Sequence, residues 1–120
     1  MSASQMDITA ETTAKLWSRI RTVPISTTSA SGDATIHATT TGLYFVVFHI
    51  FLNTSLDTNL TIYSGSTPIT GAIPMAAVTD LEWITNDAPI FKGRAAGDAF
   101  KINSSATTNL RGFAAICEVL

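Results

Sequence analysis

Ten residues in the first half of the chain, Leu43 to Leu52 (LYFVVFHIFL), limit what it can become more than any other feature. The run is far short of the roughly 20 apolar residues a helix needs to cross a bilayer. Its β-branched and aromatic side chains read as a strand. A strand with one wet face alternates apolar and polar residues, and this one is apolar on both. One face presents Leu43, Phe45, Val47, His49 and Phe51; the other presents Tyr44, Val46, Phe48, Ile50 and Leu52. One face can fill a core. The other needs a cover, from an N-terminal arm or another subunit, with the chain's own loops as the alternative.

Around this run the sequence is punctuated for strands. Residues 22–27 form a first strand whose Pro24 places it at an edge or bulge. Ser31-Gly32-Asp33 turns into 34–39, and Thr41-Gly42 turns into the apolar run. Residues 59–64 alternate cleanly, Ser64-Gly65-Ser66 turns again, and 69–78 is interrupted by Pro74. Then come 81–85, the turn Asn86-Asp87-Ala88-Pro89, a hairpin marked by Gly93 and Gly97, and strands at 99–103 and 110–119. About eight strands at 8–12-residue spacing, with no helical period between them, predict an all-β antiparallel sandwich of jelly-roll type. At 120 residues the chain is one domain. Residues 1–19 depart from the strand pattern and read as an arm or a short helix, with the sandwich at 20–120.

Composition narrows the function classes. Charged residues are 13% and apolar residues 46%, which excludes disorder and a long coiled coil. A net charge of -2 and a pI near 5.5 argue against a nucleic-acid partner. The N-terminal residues lack the apolar stretch of a secretory signal, so the expected product is soluble, outside the membrane, and made in a reducing compartment. Three Asn-X-Ser/Thr matches, at Asn53, Asn59 and Asn103, are what chance gives in a chain with about a quarter Ser and Thr.

No catalytic or metal constellation emerges. His37 and His49 have no ligand partner at a useful spacing, whereas zinc needs three or four convergent ligands. His49 reads as a packed histidine with one hydrogen bond. The single Cys117 lies in an apolar strand and reads as an inert thiol. Asp80 and Glu82 share a strand face, but a solvated strand end explains them. Gly93 and Gly97 do not precede a helix, so they are no phosphate loop. Trp17 and Trp83 suit sugar stacking, though aromatics in sandwiches more often anchor cores and interfaces. The reading is not an enzyme, with no cofactor and no metal.

From Leu60 to Val119 the chain resembles the small β-sandwich structural proteins of tailed bacteriophages, of the capsid decoration (cement) or head-fibre type. The residues carrying the resemblance are LTIYSGSTPITGAIPMA (60–76) and GRAAGDAFKINSSATTNLRGFAAICEV (93–119), matching at Gly65, Thr70, Gly71, Pro74, Gly97, Asp98, Gly112 and Glu118. These are turn and packing positions. The resemblance implies a jelly-roll-like sandwich, often a trimer, that decorates or stabilises a capsid. The expected partners are the chain itself and the major capsid protein, and the expected location is the virion, after synthesis in the host cytoplasm. A host-receptor or glycan-binding module of a fibre is the alternative. Every Lys and Arg lies within Lys15–Arg21 or Lys92–Arg111. The residues expected at an interface are Tyr44, Phe45, Phe48, Ile50, Lys92, Arg94 and Arg111.

Overall fold

A computed structural model describes residues 19–85 and 88–120. The expected arm, apart from Arg19, and the turn residues Asn86 and Asp87 lie outside the described residues. The strands are β1 (Arg21–His37), β2 (Tyr44–Thr54), β3 (Thr58–Ser64), β4 (Thr67–Pro68), β5 (Ile73–Met75), β6 (Thr79–Ile84), β7 (Phe91–Lys92) and β8 (Phe100–Val119). Every pairing among them is antiparallel, in one eight-stranded sheet.

β8 organises the sheet. On one side it pairs with β1 along its length, from Arg21↔Ile116 to His37↔Phe100. On the other its second half pairs with β2 and its first half with β3. The segment 67–92 then runs back along β2 and β3 as β4, β5, β6 and β7. The sheet folds over on itself. Phe45 lies opposite Glu118 in the ladder, yet its ring centroid is 5.3 Å from that of Phe100, at the far end of the same strand. His37, paired with Phe100, bonds the Glu118 carboxylate at 2.8 Å.

The core fills the space between the two halves, giving a sandwich-like molecule. β8 lines it with Phe100, Ile102, Ser104, Thr108, Leu110, Ala114 and Ile116, every one an even position. β3 alternates as read from sequence, with Thr58, Leu60, Ile62 and Ser64 buried. Pro24 lies on an edge strand, since β1 pairs only with β8 among the described residues.

One expected turn is a bend instead, and two strands expected apart are joined. Residues 22–27 and 34–37 belong to one strand, which ends at His37 rather than Thr39, with Gly32 (φ 81°) paired to Ser104 at a register break. Likewise 99–103 and 110–119 are continuous in β8. Hydroxyls replace ladder bonds where the chain bends. The Thr58 Oγ1 donates to Ala106 O (3.2 Å) and accepts from Ala106 N (3.1 Å). The Leu56 N–H donates to Thr108 Oγ1 (3.1 Å), Asn109 N to Ser55 Oγ (2.8 Å) and Asn59 N to Ser105 Oγ (2.9 Å). Buried polar groups must be partnered, and small hydroxyl residues do this without disturbing the apolar interior. That is a structural use for the chain's Ser and Thr content.

Candidate interaction surface

The expected two faces of β2 need a correction. The register against β8 shifts between Val47 and His49, a β-bulge that inserts Phe48 as an extra residue. A one-residue slip exchanges the faces of everything beyond it. Phe45 and Val47 therefore share the core with Ile50, Leu52 and Thr54, rather than with His49 and Phe51. The opposite face carries Val46 and Phe48, then His49, Phe51 and Asn53.

This outer face is apolar for much of its length. Val46, Phe48 and Cys117 form a small buried cluster with Ile20 and Val119 against it. Burial pushes the Cys117 thiol up, and adjacent Glu118 adds to this while Arg19 opposes it. Beyond the bulge, Phe51 stacks on Phe113 with centroids 5.9 Å apart. The His49 ring meets the same Phe113 edge-on at 4.9 Å. Its Nε2 lies 2.7 Å from Glu82 Oε2, so His49 is a packed histidine with a carboxylate partner. Asn53 Nδ2 donates to Asp80 Oδ1 at 2.8 Å. Asp80 and Glu82 thus share one face of β6, each tied to a β2 side chain, with Ile84 beside them 66% exposed.

The residues expected at an interface are placed as follows. Phe45 and Ile50 are fully buried in the core of a single chain, which removes them from any contact surface. Phe48 is buried too, 5% exposed in the outer-face cluster with Val46 and Cys117, so it offers no contact surface in a single chain either. Tyr44 is half-buried, with Lys92 Nζ 5.1 Å from its ring centroid, a cation–π contact. Lys92 and Arg94 are exposed at one end of the sheet. Arg111 is exposed elsewhere, its guanidinium donating to Thr27 O, Leu110 O and Thr28 Oγ1. Lys92 lies opposite Val46 and Arg111 opposite Asn53, which separates them by roughly 20 Å of strand. The cations do not form one patch.

Sequence reasoning missed a polar centre at that end. Glu118 accepts from Thr40 N (2.8 Å), Thr40 Oγ1 (2.7 Å) and His37 Nε2 (2.8 Å), and Arg19 donates to its backbone carbonyl. Burial raises the Glu118 carboxyl, but these hydrogen bonds outweigh it and hold the group below its ordinary value. The centre borders a cleft of about 860 Å³ and fixes the β1–β2 connection to the end of β8. His37 and Glu118 are 81 positions apart, so no local pattern could have joined them.

Among the described residues there is no group of three or more His, Cys, Asp or Glu side chains that could hold a metal. No helix among them is long and apolar enough to cross a membrane. What the fold and surface define is an all-β antiparallel protein with an apolar outer sheet face. No family model, curated protein or solved structure matches the chain.

Proposed function

We propose that this chain is a non-enzymatic bacteriophage virion structural protein, a capsid decoration (cement) protein of jelly-roll type that self-associates as a trimer. The pairing order supports the jelly-roll reading. One half of the folded sheet runs β1–β8–β2 with β6 and β7 outside, and the other runs β1–β8–β3 with β4 and β5 outside, so each layer is four strands wide, as in a jelly roll. The observation that carries the function is the outer-face stack of Phe51 on Phe113, both only half-buried, with Ile84 66% exposed on neighbouring β6. A contiguous apolar face on a low-charge chain marks a contact between proteins. The phage resemblance of residues 60–119 supplies the virion context.

Mass spectrometry of purified phage particles tests this reading. A cement protein copurifies with the major capsid protein at a fixed copy number; absence from virions overturns the proposal. A fibre module that binds glycans is the second reading, favoured by the Phe51–Phe113 pair lying beside Asn53, Asp80 and Glu82. Binding on a glycan array that Phe113→Ala abolishes would establish it instead.

A further inference from the structure

Two of the sheet's edge strands, β1 and β6, are built differently. β1 is guarded: Pro24 removes an N–H, and register breaks after Thr27, Ala30 and Thr35 distort the strand. β6 lies on the other side and pairs with β2 alone among the described residues, in unbroken register from His49↔Ile84 to Thr54↔Thr79. It has no proline, no bulge, no lysine and no arginine. Such an edge offers unpaired backbone groups to any strand that can lie beside it.

Its side chains say which strand. Leu81 and Trp83 lean on the core cluster, and beside them opens a cleft of about 680 Å³ lined by Thr70, Glu82, Trp83, Ile84, Ile90 and Phe91. On the outer face stand two carboxylates at alternate positions, Asp80 and Glu82. A second β6 is a poor occupant. Antiparallel self-pairing keeps like faces together, so the registers that overlap most of the strand set Glu82 against Glu82, or Asp80 against Glu82. Like charges directly opposite one another are destabilising. The β1 strand of a second copy brings Pro24 and its irregular register.

We propose that the β6 edge takes up an extended segment of another protein as an added strand. That segment carries Lys or Arg at alternate positions to meet Asp80 and Glu82. An apolar residue between them turns toward the cleft beside Trp83. Main-chain bonds give such a complex its affinity and the alternate side chains its specificity. The proposal stands apart from the virion reading, because it rests on the edge and its charges alone.

The test uses the full chain and a short fluorescent peptide of alternating lysine and valine. Saturable binding is expected, with slowed amide hydrogen exchange at Leu81–Ile84. Asp80→Lys with Glu82→Lys should weaken binding about tenfold or more and transfer preference to the alternating glutamate–valine peptide. Circular dichroism confirms that this double variant is folded. Equal binding of a peptide with its lysines in one block, or no change in exchange at β6, overturns the proposal. So does a wild-type dimer that the double variant returns to monomer, since a second copy would then hold the edge.

Discussion

Gly112 shows how closely the strands approach at one point. Its φ is +144°, and a Cβ built on it would lie 1.8 Å from the carbonyl oxygen of Phe51. Only glycine fits where a neighbouring backbone comes so near. Gly112→Ala should therefore cost about 2–6 kcal/mol, combining backbone strain with overpacking. Gly71→Ala, with an ordinary φ and nothing within 4 Å, should be nearly neutral, and urea denaturation of the pair checks the contrast. Glu118 supplies a pH signature. Its folded carboxyl titrates below the ordinary 4.5, so the unfolded chain takes up a proton first as the solution is acidified. The stabilisation is complete above the unfolded value and is lost as pH falls through the lowered folded value. Wild type should lose melting temperature more steeply than Glu118→Gln between roughly pH 5 and 3. Parallel curves would mean that the Thr40 and His37 bonds add nothing to folding.

The long strands bend where hydroxyls stand in for the ladder. Thr108 is 1% exposed, and its Oγ1 is the acceptor for the Leu56 N–H. Thr108→Val keeps the shape and orphans that donor, so it should cost about 1–3 kcal/mol and speed hydrogen exchange at Leu56. An unchanged stability would mean that the bend is held by packing instead. These bends also mark the limit of what sequence could reveal. The alternation of 59–64 and the apolar run of β2 are local signals, and both led to buried strands. Ser31-Gly32-Asp33 looks like a turn, because glycine serves turns and bulges alike. Which of them it makes depends on a partner 72 positions away, Ser104. The bulge at Phe48 is equally silent, since it exists only relative to β8. For the same reason His49–Glu82 and His37–Glu118 were out of reach while the residues themselves were noted.

At the scale of the whole molecule, the proposed function makes the half-buried Phe51–Phe113 face a self-contact. The isolated protein should be an oligomer, with the trimer the expected form, and light scattering at micromolar concentration measures it. Phe51 is only half-buried in one chain, so Phe51→Asp should dissociate the assembly while leaving each subunit folded. Phe45 is fully buried, and Phe45→Asp should unfold the subunit itself, since an unpaired charge in a core costs several kcal/mol. A monomeric wild type would remove the outer face as a self-contact.

The central place of β8 also has a consequence in time. β1 pairs with β8 alone among the described residues, and even its nearest ladder partner, Phe100 for His37, comes 63 positions later in the chain. At a ribosomal pace of about 5–20 residues per second, that is roughly 3–13 s during which β1 has been made and its mate has not. β2 waits almost as long, its nearest β8 partner Leu110 lying 56 positions after Thr54, and β3 a little over half as long, with Phe100 36 positions after Ser64. The nascent chain thus emerges with its most apolar segment, Leu43–Leu52, translated well before the strand that lies across it. Newly made copies on neighbouring ribosomes share that exposed interval, and during it the apolar strand is open to pairing with the wrong chain.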